Sequence, residues 1–141
     1  MVTYKSWIEK AKDDLLWTRH NIESEVYYGA CFSAQQAAEK AFKSFLISHK
    51  KRLRKIHDLR ALLEDCILID REFEQLRRDA VKVNPYYTAT RYPDFEMFSS
   101  FTESQAKEAF ESAEKIIRFV EKKLNSDKSS GRRRYIRNKN C

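Results

Sequence analysis

The sequence predicts an all-α fold, an antiparallel up-and-down bundle of about five helices that ends in a basic, disordered C-terminal tail. Only two glycines and two prolines occur in the 141 residues, too few for the turns of a many-stranded sheet. Good helix formers dominate the composition, and apolar residues recur at intervals of three and four. A chain of this length holds one domain, which we expect to span residues 1–125.

Two long helices are predicted in the first third of the chain. Apolar residues from positions 4 to 22 share one helical face, and Thr3 is a candidate N-cap. The second helix is predicted over residues 25–49 and is the longest. Small residues on this helix allow another backbone to approach closely. They are Ala30, Ser33, Ala34, Ala37, Ala38 and Ala41.

Two shorter helices follow in the middle of the chain. A basic loop over residues 50–55 ends the second helix, and Asp58 is a candidate N-cap for a short third helix. The fourth helix is predicted over residues 70–83. Asn84 and Pro85 then end it, because proline disfavours helical geometry in the residue before it.

The last part of the chain contains a loop and the clearest helix. Five aromatic residues and both prolines fall within residues 85–98, so we interpret residues 86–98 as an ordered loop. The final helix begins after Thr102 and repeats apolar residues at intervals of three and four up to Leu124. Residues 126–141 lack this periodicity and are predicted to form a flexible tail.

The positive charge is concentrated in that tail. The formal net charge is +7, and six of the 28 basic residues lie in the last fourteen positions, where there is no acid. Residues 1–127 therefore hold 22 basic and 21 acidic residues. A neutral body with a basic tail predicts salt-sensitive binding to polyanions in general, and it does not predict a dedicated nucleic-acid face.

The cysteines and the apolar segments exclude several classes of protein. Cys31, Cys66 and Cys141 are an odd number without short-range pairing, and no Cys and His cluster has the spacing of a zinc site. We therefore expect no structural disulfide, no metal and no cofactor. The apolar stretches fall far short of the roughly 18 residues that a membrane span needs. These features predict a cytoplasmic protein without a membrane contact.

A polar motif on the second helix resembles the HEPN domain family. An aromatic residue precedes Gln35 and Gln36, two alanines follow them, and a His-Asp-Leu triplet at residues 57–59 opens the next helix. The resemblance covers residues 4–124. Other positions that fit the family pattern are Asp13, Asp14, Tyr28, Glu39, Lys40, Lys43, Thr90, Arg91, Tyr92, Pro93 and Asp94.

The resemblance implies a small helical bundle that is often a homodimer and is commonly encoded beside a minimal nucleotidyltransferase in toxin–antitoxin pairs. Several branches of the family are metal-independent RNA-cleaving toxins. These enzymes use an Arg that is followed within a few residues by a His, and both subunits of the dimer contribute. Here no His follows Arg91 at that spacing, whereas Arg52 and His57 satisfy it.

Two segments carry the candidate ligand-binding residues. In the tyrosine-rich loop, aromatic faces stack on bases and an Arg binds phosphate through its planar fork. The loop candidates are Tyr86, Tyr87, Arg91 and Tyr92. On the second helix, polar residues on adjacent turns form either an interhelical network or a ligand contact. These helix candidates are Gln36, Glu39, Lys40 and Lys43.

The candidate catalytic residues are His57, Arg52 and Arg91. A histidine can take the proton of an RNA 2′-hydroxyl while an Arg stabilises the charge that develops on the phosphate. The structural interpretation of His57 is that its ring bonds the end of a neighbouring helix and fixes the turn.

The sequence therefore predicts a HEPN-like domain that binds a nucleotide or RNA and acts with a nucleotidyltransferase partner. One alternative is a metal-independent endoribonuclease toxin. The other alternative is a non-enzymatic dimerisation module, in which the polar residues only specify packing.

Overall fold

A computed structural model describes residues 3–89 and 101–139, and it describes side chains in the last helix as far as residue 127. The described residues form helices and no strand. The prediction of an all-α bundle is therefore confirmed. The elements are α1 (Tyr4–Glu23), α2 (Tyr27–Ser48), α3 (Leu59–Ile69), a 3₁₀ helix (Arg71–Leu76), α4 (Arg77–Val83), α5 (Tyr86–Ala89) and α6 (Glu103–Lys139).

Helix α2 lies at the centre of the bundle. It packs against α1, α3, α4, α5 and α6, and fourteen of its 22 residues are buried. The row of small residues predicted from the sequence is fully buried, so neighbouring helices come close to the α2 backbone. Phe42 and Phe45, which are also buried, fill the space beside this row.

A tight turn makes α1 and α2 antiparallel neighbours. Glu25 adopts a left-handed backbone conformation, with φ of 61°, and the amide of Val26 donates to the carbonyl of Asn21 at 2.8 Å. Further along the interface, the hydroxyls of Thr18 and Ser33 lie 2.7 Å apart in a fully buried position. This hydrogen bond satisfies polar groups that would otherwise be costly inside the core.

The predicted fourth helix divides into the 3₁₀ helix and α4. The carboxylate of Asp70 accepts a hydrogen bond from the amide of Glu72 at 3.0 Å, and this local contact favours the tighter first turn. Phe73 and Leu76 are fully buried there. The spacing of apolar residues identified the buried face, but it did not distinguish the two helix types.

The predicted tyrosine-rich loop begins as a helical turn, α5. The amide of Ala89 donates to the carbonyl of Pro85 at 3.0 Å, and proline favours the first turn of a helix because its φ is already helical. Positions 90–98 of that predicted loop lie outside the described residues.

Helix α6 continues through most of the segment that the sequence analysis assigns to a tail. Its backbone is helical up to Lys139, because lysine and arginine are good helix formers and no proline interrupts them. Flexibility of residues 126–141 as a separate unit stays a prediction. None of the helices within residues 3–89 and 101–139 combines the length and apolar character needed to cross a membrane.

Candidate functional site

Helix α2 carries a buried ion pair on its polar side. The ammonium of Lys43 donates to a carboxylate oxygen of Glu39, Oε2, at 3.0 Å, and both residues are at most 5% exposed. The ammonium also lies 6.0 Å from the centre of the Trp7 ring on α1. Each of these buried charges needs the other, because a buried charge without a partner has lost its hydration and gained no compensating interaction.

A second ion pair connects α1 with α2. Lys40 donates to a carboxylate oxygen of Asp14, and Asp14 is itself buried. The carboxylate of Asp14 is thereby held by a residue on the neighbouring helix. The interhelical network that the sequence left as one interpretation of these polar positions is present.

His57 joins this network from the loop between α2 and α3. Its Nδ1 lies 2.9 Å from Oε1 of Glu39, the oxygen that Lys43 does not use. Its backbone carbonyl accepts a hydrogen bond from the buried side chain of Gln35 at 3.0 Å, and Gln36 donates to Gln35 at 2.7 Å. His57 therefore contacts the middle of α2, not a helix end as the structural interpretation expected.

The ring of His57 is stacked on a tyrosine. The centroids of the His57 and Tyr87 rings are 4.0 Å apart and the planes are inclined by 13°, while Tyr87 also lies 6.3 Å from Phe32 of α2. The side chain of His57 remains 45% exposed. Contacts with α2 and α5 thus hold the ring in place, although nearly half of it is accessible to solvent.

A groove of about 540 Å³ opens beside this pair. Its lining includes His57, Asp58, Asn84, Tyr87 and Thr88. Asp58 accepts from the amide of Arg60 at 2.9 Å, as the predicted N-cap of α3, and Asn84 accepts from the amide of Leu59 at 2.8 Å. One wall is therefore fixed by hydrogen bonds at the start of α3.

The arrangement allows two kinds of chemistry. An aromatic pair that is partly exposed beside a groove can stack on a planar group such as a base. When Nδ1 of a neutral His57 donates to Glu39, the lone pair of the ring lies on Nε2, which can accept a proton. The His57 side chain could therefore stack on a nucleobase or accept a proton as a general base.

Two buried thiols and a half-buried phenol do not contribute to this site. Burial raises the pKa of Cys31 to about 12 and raises the pKa of Cys66 as well, so neither is a thiolate nucleophile at neutral pH. Burial also raises the pKa of Tyr86 to about 12. Within the part of the chain that the structure describes, no group of three or more His, Cys, Asp or Glu residues could hold a metal ion.

A family model for the HEPN domain matches residues 4–123, most of the chain. The chain belongs to the HEPN domain family. The resemblance stated from the polar motif of α2 is therefore confirmed. No curated protein matches this HEPN domain closely enough to add a function.

Three solved structures resemble this HEPN domain along most of its length. TT1696 from Thermus thermophilus is 32% identical, with a TM-score of 0.78 over 87% of this chain and 99% of that chain. ST0689, an archaeal HEPN homologue, is 25% identical, with a TM-score of 0.70 over 88% and 99%. A HEPN domain protein from Thermotoga maritima, tm0613, is 30% identical, with a TM-score of 0.69 over 84% and 97%.

The structure unites some of the predicted site residues of the HEPN domain and separates others. Glu39, Lys43, His57 and Tyr87 form one cluster. Arg52 instead lines a different groove, so the two residues that satisfied the family spacing border two different grooves, and their joint catalytic role stays a prediction. The half-buried ring of Tyr86 lies beside Phe101, with centroids 5.8 Å apart. Arg91 and Tyr92 lie outside the described residues.

Three residues of the groove wall and network were not predicted as site residues. Gln35 was considered with the family motif and the polar side of α2 but not selected as a site residue, and Asp58 and Asn84 were interpreted as a helix start and a helix end. The helix-end residues were identified correctly, but nothing in their spacing shows that Asn84 bonds to the start of α3. A glutamine at a position surrounded by buried alanines was the available signal for Gln35, because such a residue needs a polar partner.

Proposed function

We propose that this HEPN domain binds single-stranded RNA or a nucleotide in the groove beside His57. The observation that carries the proposal is the His57–Tyr87 stack, held at 4.0 Å next to a groove of about 540 Å³. Unpaired bases bind proteins mainly by stacking on aromatic side chains and by hydrogen bonds to their edges. Asn84 and Thr88 supply polar groups in the same groove.

The size and rigidity of the groove support this proposal. Sites for small ligands commonly measure roughly 300–1,000 Å³, and this groove falls within that range. Glu39 and Gln35 hold His57 from the buried side, so little side-chain freedom is lost when a base stacks on the ring. The candidate phosphate contact is Arg91, whose role stays a prediction.

Binding of labelled single-stranded RNA without added metal tests the proposal. We expect His57→Ala to weaken binding by about tenfold, because one base–aromatic stack contributes roughly 1–3 kcal/mol. Arg91→Ala should weaken it further and reduce its salt dependence. The affinity can be measured by fluorescence anisotropy.

The matched control is His20→Ala. His20 is also an exposed histidine near a glutamate, with Nδ1 3.7 Å from Glu23, but it lies on α1 and does not line the groove. Equal losses in the two histidine variants, or no RNA or nucleotide binding by the unmodified protein, would contradict the proposal.

A second candidate function is metal-independent RNA cleavage. The specific observation is the contact between Glu39 and Nδ1 of His57, because a carboxylate at this nitrogen orients a histidine that acts as general base through its other nitrogen. Nε2 would take the proton of a 2′-hydroxyl, and the hydroxyl oxygen would then attack the adjacent phosphate. The bond between the phosphorus and the 5′-oxygen would break, and that oxygen would take a proton from water, so the products would carry a 2′,3′-cyclic phosphate and a 5′-hydroxyl.

Cleavage of labelled RNA in the presence of a chelator distinguishes binding from catalysis. If the protein cleaves RNA, we expect His57→Ala to lower the rate by about 10²–10⁴-fold. Glu39→Gln should lower the rate while RNA affinity stays close to that of the unmodified protein, because Glu39 acts through His57. RNA that is bound and remains intact would leave binding as the function.

Two further parts of the proposal concern partners. We propose that the domain acts as a homodimer and together with a nucleotidyltransferase, as the family resemblance implies. Leu16 and Trp17 on α1 are both more than half exposed, and exposed apolar side chains of this size favour a protein contact. A protein that neither bound nor cleaved RNA would favour the alternative of a non-enzymatic dimerisation module.

A further inference from the structure

A second groove lies near the C-terminal ends of α2 and α3. Its volume is about 340 Å³, and its apolar residues are Leu46, Leu68 and Ile69. Leu68 is 87% exposed, more than any other large apolar residue in the described part of the chain. The His57 groove does not include any of these residues, so the proposed RNA site leaves this apolar surface unexplained.

The basic loop that borders the groove is held at its beginning. Lys50 has a left-handed φ of 59°. The amides of Lys50 and Lys51 donate to the carbonyls of Ile47 and Leu46 at 2.9 and 3.0 Å, which caps the end of α2.

The same loop is also held at a later position. Arg54 binds both carboxylate oxygens of Asp65 on α3, at 3.0 and 2.8 Å. Both contacts come from one guanidinium nitrogen, Nη1, and they tie the loop to α3 through a charge-assisted hydrogen bond. The groove is therefore formed by the isolated chain, before any partner arrives.

The charge of the groove is positive and unbalanced. Arg54 neutralises Asp65, the single acidic residue that lines it. Lys51 and Arg52 are exposed, and no carboxylate in residues 3–89 or 101–127 forms an ion pair with either of them. An apolar floor with two uncompensated cations at its edge is complementary to a ligand that is both apolar and acidic.

We infer that this groove docks an acidic segment of another protein. An aliphatic side chain of that segment would contact Leu68 and Ile69, and flanking carboxylates would face Lys51 and Arg52. RNA phosphates could bind Lys51 and Arg52, but the polar phosphates and sugars would make no favourable apolar contact with Leu68. A second copy of this chain, related by a two-fold axis through the same groove, would place Lys51 and Arg52 beside the same two cations of the other copy, and these like charges repel.

Binding of synthetic peptides to the full chain tests this inference. The probe is a fluorescein-labelled peptide of glutamates with leucines at helical spacing, and the comparison peptide has serine in place of each leucine. We expect the leucine peptide to bind and the serine peptide to bind at least about tenfold more weakly, as loss of a buried leucine predicts. Leu68→Ser should cause a similar loss, and Arg52→Ala should weaken binding and reduce its salt dependence.

The control variants remove similar groups elsewhere. Val81→Ser changes an exposed apolar residue on α4, and Lys5→Ala changes an exposed cation on α1; neither should alter peptide binding. His57→Ala should also leave it unchanged, which separates this site from the proposed RNA site. Equal binding of the two peptides, an unaffected Leu68→Ser variant, or loss of RNA binding in Leu68→Ser would overturn the inference.

Discussion

Replacing Lys43 with methionine is expected to lower the free energy of unfolding by about 3–5 kcal/mol. The substitution keeps most of the side-chain volume but removes the ammonium that faces Oε2 of Glu39 at 3.0 Å. Glu39 is only 4% exposed, so its carboxylate would be left without that compensating charge in a poorly solvated position. His57 contacts the other oxygen, Oε1, so the hydrogen bond to Oε2 would be lost without a replacement.

Urea unfolding followed by circular dichroism measures this effect. The matched control is Lys107→Met, because Lys107 and Glu103 form an ion pair of the same spacing, at 2.7 Å, with both side chains more than half exposed. We expect the control to change stability by less than about 0.5 kcal/mol. Adding Glu39→Gln to Lys43→Met should recover part of the loss, since the unpaired charge is then removed.

The relative size of the two losses shows what holds the His57 site in place. If Lys43→Met and Lys107→Met lower the free energy of unfolding equally, the Glu39 carboxylate does not need Lys43 to stay in its buried position beside His57. If the buried pair costs several times more, the carboxylate that orients His57 is stabilised chiefly by Lys43. The positioning of the exposed ring would then originate in the core of α2.

The sequence predicted the features that depend on neighbouring positions along one helix. Burial of the small residues of α2 and the caps at Thr3 and Asp58 follow from helical spacing and local hydrogen bonding. In the structure, Thr3 accepts from the amide of Ser6 and Asp58 from that of Arg60. Such contacts need no knowledge of how the helices pack.

The sequence did not predict contacts that depend on how separate elements meet. The stack between His57 and Tyr87 joins residues 30 positions apart, and it forms because α5 packs on α2. The spacing between Arg52 and His57 suggested a shared site, yet the two residues line different grooves. Spacing outside a regular helix gives no direction for a side chain, so it could not decide this point.

Phe73→Ala is the second substitution with a large expected effect, a loss of about 3–5 kcal/mol in the free energy of unfolding. Phe73 is fully buried, and its ring lies 4.3 Å from that of Phe45 on α2 and 5.0 Å from that of Phe119 on α6. The 3₁₀ helix thus inserts one aromatic ring between the two longest helices. Alanine would leave a cavity that these long helices cannot close without bending.

Thermal and urea unfolding of Phe73→Ala and Phe73→Leu measure the effect. Leucine fills part of the same space, so its loss should be clearly smaller than that of alanine. Phe73 does not line the His57 groove, and RNA affinity well below the unfolding temperature should therefore stay unchanged. A loss below about 1 kcal/mol for alanine would show that packing of the Phe73 ring between α2 and α6 contributes little to the stability of the bundle.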